Sequence, residues 1–169
     1  QRFKDEGYQT TKFKIGGSGA GFSQDIRRLE KARRALGDDF GIAVDANQAW
    51  DAKTAFAFAK EAAPFGVAWL EEPVHAYDMD ALRELRDLLD NAGIVMEIAM
   101  GESVRSYHTH VAYAQHGVDH LQPARLCCIA ENMRVREYAR QHGCRISTGG
   151  FTFQNAALGA LYSEDELLE

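Results

Sequence analysis

Two lysines and three carboxylates define the chemistry open to this chain. Lys12 and Lys14 lie in the apolar run 11–15, separated by one residue. Residues i and i+2 of a strand point to the same face, so both amines would face one side. Two ammonium groups that close disfavour each other's charged form, which suits one of them to act as a base. Solvated lysines on a sheet edge would show the same spacing. Asp45, Glu71 and Glu102 occur in Asp45-Ala46-Asn47, Glu71-Glu72-Pro73 and Gly101-Glu102, each after an apolar run. Three carboxylates converging from three strands repel one another unless a cation lies among them. A hard divalent ion resolves this, and Mg²⁺ accepts carboxylates while water or substrate completes its octahedron.

Such groups need a scaffold that gathers strand ends. Gly37, Gly66, Gly93, Gly117 and Gly143 each follow a helical pattern and precede an apolar run, at a mean spacing of about 26 residues. That is the length of a βα unit, and glycine commonly ends a helix because it accepts positive φ. In 23–36, Ser23 is a candidate cap and Ile26, Leu29 and Leu36 line one face. In 78–89, Asp78 can cap a helix carrying Leu82, Leu85 and Leu89; in 131–142, Val135, Tyr138 and Ala139 share a face. The runs 11–15, 41–46, 67–70, 94–100, 120–122 and 145–148 are apolar with little alternation. Strands of a parallel sheet covered on both faces read this way. In such folds the site lies at the C-terminal strand ends, where the lysines and acids fall. Periodicity alone leaves a closed barrel and an open doubly wound sheet as alternatives. Gly16-Gly17-Ser18-Gly19 lacks the last glycine of a dinucleotide-binding loop.

The 169 residues suffice for one domain but fall short of the roughly 250 of a whole barrel. No linker interrupts the alternation, so residues 1–169 read as one domain. A net charge of −6 without a basic stripe argues against nucleic acid. No run reaches the ~18 apolar residues of a membrane span. The polar N-terminus shows no signal peptide, so a cytoplasmic location is expected. Cys127, Cys128 and Cys144 show no metal spacing and read as buried thiols in a reducing compartment.

The stretches Thr11-Lys12-Phe13-Lys14-Ile15, Val44-Asp45-Ala46-Asn47-Gln48-Ala49-Trp50, Trp69-Leu70-Glu71-Glu72-Pro73-Val74 and Ile98-Ala99-Met100-Gly101-Glu102 resemble the mandelate racemase/muconate lactonising branch of the enolase superfamily. The Lys-x-Lys pattern points to its mandelate racemase subgroup. The resemblance implies an α/β fold, a (β/α)₈ TIM-type barrel present here as about six βα units, and Mg²⁺-dependent abstraction of a proton α to a carboxylate. It implies Asp45, Glu71 and Glu102 as metal ligands, Lys14 as base and Lys12 as its electrostatic partner. Asn47, Arg105 and Glu169 are candidate contacts to a small carboxylate substrate, an acid sugar. The implied reaction is dehydration by a carbon–oxygen lyase of carbohydrate acid catabolism. The alternative is a non-catalytic or fragmentary barrel that retains the metal site.

The chain also departs from the family. Gln122-Pro123-Ala124 stands where the subgroup has Gln-Pro-Asp, and Ser147-Thr148-Gly149-Gly150 where it has a strand-closing His. The family's Asp–His dyad is therefore expected to be missing, and with it racemase activity. The first and eighth strands and the α+β capping domain are also expected to be absent, which would open two sheet edges and favour a homo-oligomer. His108 and His110 read as surface polar residues, and His75, which follows the third strand end, is not assigned to the site. Tyr8, Phe56, Phe58 and Trp69 read as core or barrel wall.

Overall fold

The computed structural model describes residues 2–17, 21–123, 127–148, 152–163 and 166–168. A short helix α1 (Arg2–Asp5) precedes six βα units. These are β1 (Thr10–Lys14) with α2 (Ser23–Leu36), β2 (Gly41–Asp45) with α3 (Ala52–Ala62), β3 (Val67–Glu71) with α4 (Met79–Asn91), β4 (Glu97–Met100) with α5 (Tyr107–Gln115), β5 (His120–Leu121) with α6 (Ile129–His142), and β6 (Arg145–Thr148) with α7 (Thr152–Gly159). A two-residue strand β7 (Leu167–Leu168) follows. The chain divides into two compact units, Gln1–Ile98 and Ala99–Glu169.

In the first unit β1, β2 and β3 pair in parallel, in that order. Ile42, Ala43 and Val44 are fully buried, as a strand covered on both faces must be. Leu82, Leu85 and Leu89 of α4 are also fully buried, as are Ala55, Phe58, Ala59 and Ala62 of α3. Asp78 caps α4 by accepting from the Ala81 N–H at 2.9 Å, and Asp51 caps α3 by accepting from Thr54 at 2.7 Å. Ser23 does not cap α2; Phe22 holds that position, with no side-chain bond to the helix end. The chain after α4 also departs from the expected strand 94–100. The Ile94 N–H still bonds the Leu89 carbonyl at 3.0 Å, so Ile94 belongs to the helix end, and Val95 is 98% exposed. Strand β4 therefore starts only at Glu97.

In the second unit the end of β4 pairs with β5, β5 with β6 and β6 with β7, all in parallel. Val135 and Ala139 of α6 are buried, as their shared face predicts, and so is Tyr113 of α5. The five glycines that mark the repeat all take positive φ, between 60° and 88°. Tyr8 is 59% exposed and is not core, whereas Phe58 and Trp69 are buried and Phe56 is half-buried. Among the cysteines only Cys127 is buried; Cys144 is half-buried, and Cys128 is exposed just before α6. No helix of the described residues is long and apolar enough to cross a membrane.

Candidate metal and proton-transfer site

Register assembles the charged groups of the first unit. Lys14 pairs with Asp45 across β1 and β2, and Asp45 pairs with Glu71 across β2 and β3. A register shift makes the second pairing possible. Ile42 faces Val67, but Val44 faces Leu70, so β3 carries one extra residue in this interval. Without it Asp45 would face Leu70, and because side chains alternate, Glu71 would sit on the other face.

Asp45 and Glu71 are both fully buried, and each offers a carboxylate oxygen within 4.8 Å of the other's. Lys12 Nζ lies 2.8 Å from both oxygens of Glu71, and Lys14 Nζ bonds Asp45 Oδ2. The lysines share a face, as their spacing predicts, but each ammonium sits on a carboxylate rather than against the other ammonium. Trp69 Nε1 donates to Glu71 Oε2 at 3.2 Å. Asn47 grips Asp45, its backbone N–H donating to Oδ1 at 2.8 Å and its side-chain amide to Oδ2 at 3.3 Å. Sequence reasoning assigned Asn47 to the substrate and missed this supporting role. The first two turns of α2 hold the end of β1: Arg28 Nη1 donates to the Lys14 carbonyl at 2.8 Å and to Asp25 Oδ1 at 2.9 Å. The Gly16 N–H completes this clamp by donating to Asp25 Oδ2 at 3.1 Å.

Three non-glycine residues beside these acids have positive φ: Asn47 (44°), Gln48 (64°) and Glu72 (39°). Each such conformation costs on the order of 1–3 kcal/mol and persists where surrounding contacts over-determine it.

In the second unit Glu102 is half-buried, two residues beyond the end of β4. Gly101 before it has φ 142°, and a Cβ there would lie 2.7 Å from His110 Nε2 and 2.8 Å from the Gln122 carbonyl oxygen. No larger residue fits, so the approach to Glu102 requires glycine. His110 is buried rather than on the surface. Its Nδ1 lies 2.9 Å from the Ser106 carbonyl oxygen, and burial pushes its pKa down. Arg105, His108 and His75 are exposed. Glu169 and the positions of the expected dyad, Ala124 and Gly149, lie outside the described residues, as do Ser18 and Gly19 of the glycine cluster.

The ends of β5 and β6 carry neutral groups. The Pro123 carbonyl accepts from Asn132 Nδ2 and, at 3.1 Å, from Thr148 Oγ1; Tyr162 donates its hydroxyl to Asn132 Oδ1 at 2.7 Å. His120 Nε2 and Ser147 Oγ meet at 2.9 Å, both fully buried.

Residues 1–168 match the enolase C-terminal domain-like family. The chain belongs to that family. It is 32% identical over 169 residues to the L-talarate/galactarate dehydratase of Salmonella typhimurium, covering 98% of this chain and 41% of that protein. It is also 36% identical over 87 residues to an N-succinyl-L-Arg/Lys racemase of Bacillus cereus, covering 50% of this chain and 22% of the relative. The crystal structure of an L-talarate dehydratase from Polaromonas sp. JS666, complexed with Mg and L-glucarate, matches 99% of this chain and 46% of that one. Its TM-score is 0.84 at 28% identity. The fold expected from the resemblance, part of the (β/α) barrel of the enolase superfamily present as six βα units, is thereby shown, and the chain spans less than half the length of these relatives.

Proposed function

We propose that Asp45, Glu71 and Glu102 hold Mg²⁺, and that Lys14 removes the proton α to the carboxylate of an acid sugar, which then loses its β-hydroxyl as water. The pairing of two buried carboxylates, through register, with the two lysines of β1 carries this reading. The donor set fits a hard divalent ion, since Asp45 and Glu71 offer only oxygens and sit within one ion's reach of each other. Mg²⁺ bound there would take the substrate carboxylate and make its α-proton more acidic. Lys14, acting as the neutral amine rather than as the ammonium that pairs with Asp45, then accepts that proton, the C–H electron pair forms the C=C bond, and the β-C–O bond breaks. The Lys14 ammonium so formed returns its proton to the departing hydroxyl, which leaves as water, and the enol product tautomerises to a 2-keto acid. Lys12 holds Glu71 and supplies positive charge beside the developing negative charge. Asn47 fixes Asp45, while Asn47 and the exposed Arg105 are the proposed substrate contacts.

Dehydration is proposed over racemisation because racemisation needs a second base on the opposite face of the α-carbon. The sequence offers Ala124 and Gly149 at the family's dyad positions, and neither side chain carries a proton. The Salmonella relative, a dehydratase, matches over nearly the whole chain; the racemase matches over half. The second reading is a barrel segment that holds metal without turnover; the Ala124 and Gly149 that stand at the family's dyad positions favour it. Incubation of the chain with Mg²⁺ and a panel of acid sugars, galactarate and glucarate among them, separates the two. A 2-keto product supports the dehydratase; Mg²⁺ binding with no product across the panel supports the second reading.

A further inference from the structure

We infer that Gln48 and Glu72 form a positioning clasp that sets the Asp45 and Glu71 carboxylates for the metal, an inference that rests on the metal reading above. Gln48 is tied at three points to the loop that leaves β3. Its N–H donates to the Glu72 carbonyl at 2.7 Å, its Nε2 to Glu72 Oε2 at 3.2 Å, and its Oε1 accepts from the Ala76 N–H at 2.8 Å. A bridge between Trp50 and Val74 continues the join.

Two features mark the clasp as more than a loop fastening. Gln48 and Glu72 both occupy the left-handed region that disfavours side chains, and Asn47 between the clasp and Asp45 does so too. Glu72 is 1% exposed, yet its Oε1 has no hydrogen-bond partner among the described residues. A fold selected for stability alone would use a glycine at 48 and an apolar residue at 72. Strain and an unsatisfied buried oxygen together point to a functional constraint.

The route of action is short. The clasp holds Gln48, and Gln48 fixes the unusual conformation of Asn47. That conformation aims the Asn47 N–H and amide at the two oxygens of Asp45. On the other side Glu72 turns the peptide that follows Glu71, whose carbonyl accepts from the Ala46 N–H at 3.0 Å. Both acids are thus held from behind by the same join. Outer groups that orient ligands typically contribute 10- to 100-fold in metal affinity.

The test is calorimetric titration of the chain with Mg²⁺, paired with thermal melts, for the wild type, Gln48→Gly, Gln48→Ala and Glu71→Gln. The clasp predicts that both Gln48 variants bind Mg²⁺ at least about tenfold more weakly. It also predicts that Gln48→Gly melts no lower than Gln48→Ala, because glycine relieves the positive φ. A purely structural role would instead make affinity follow stability across the two variants. Should Gln48→Gly fail to fold, Gln48→Ala still gives the affinity reading. Wild-type binding that Glu71→Gln removes, with both Gln48 variants within twofold of wild type, overturns the clasp and leaves the metal reading intact. A wild type that does not bind Mg²⁺, or Glu71→Gln binding as well as wild type, overturns the metal reading and the clasp with it.

Discussion

The strand ends of β1 to β3 and those of β5 and β6 solve the same problem differently. Both must terminate buried strands with polar groups. At β1 to β3 these groups are charged, with Lys12 on Glu71 and Lys14 on Asp45, and the turns beside them are strained. At β5 and β6 they are neutral and bonded to one another, with Pro123, Thr148, Asn132 and Tyr162 in one network. A buried neutral network with its partners in place specifies one packing at little risk. Buried charges beside strained turns are a poor way to gain stability, because desolvation offsets most of the attraction. The contrast supports the proposal that the first set is held for chemistry and the second for structure.

The sharpest break of this contrast would come from Lys14→Ala. If the strand ends of the first unit carry the reaction, turnover of a responsive acid sugar should fall about 10²- to 10⁴-fold. Deuterium exchange at the α-carbon in D₂O refines this. Exchange on one epimer alone fits a single lysine base, whereas comparable exchange on both requires a second base.

A structural role for the neutral network predicts a stability effect. Asn132→Ala strands the Tyr162 hydroxyl and removes one donor from the Pro123 carbonyl. The expected loss is about 1–3 kcal/mol, the cost of one buried group left unsatisfied, because the Pro123 carbonyl keeps its bond from Thr148. Urea unfolding would read this, and a loss below about 0.5 kcal/mol would show that the network is not what holds these strand ends.

Charge also serves structure in the second unit, at Glu166, and pH exposes it. Burial alone would raise the Glu166 carboxyl, but the Ser163 N–H and ion pairs with Arg136 and Arg140 more than offset this and hold it below its ordinary 4.5. A carboxyl depressed in the folded state adds stability above its unfolded pKa and loses it as pH falls through the folded value. Melting temperature should therefore drop on acidification below about pH 4.5, and less steeply in Glu166→Gln. Equal slopes would remove Glu166 from the account.

The smallest effect concerns the thiols. Burial pushes Cys127 up to about 11, with Glu131 adding to the shift, while Cys128 is exposed. Iodoacetamide at pH 8 should label Cys128 well before Cys127, because the thiolate is the nucleophile. Fragmentation of the tryptic peptide 126–134, which carries both thiols, by tandem mass spectrometry would show the order.

Much of the fold was legible because its signals are local. Asp78 capping, the leucine face of α4 and the repeat glycines each depend on a few neighbouring residues, and each stands where the pattern placed it. The failures share a cause as well. Ile94 is apolar and follows a glycine, so it reads as strand, but its N–H is claimed by the end of α4. Tyr8 and His110 exchange expected environments because composition does not say which face meets solvent.

By itself the sequence determined which residues could do chemistry: Lys12, Lys14, Asp45 and Glu71 stand at strand ends because the strands' apolar runs stop there. It could not determine that Asp45 and Glu71 share a face. That depends on one extra residue of β3 between the partners of Ile42 and Val44. A register shift leaves no mark on either strand alone, since it is a property of their pairing. The strained φ of Gln48 and Glu72 is equally invisible in residue types that ordinarily avoid it. Only the joined loops, each holding the other, make that conformation the lowest in energy.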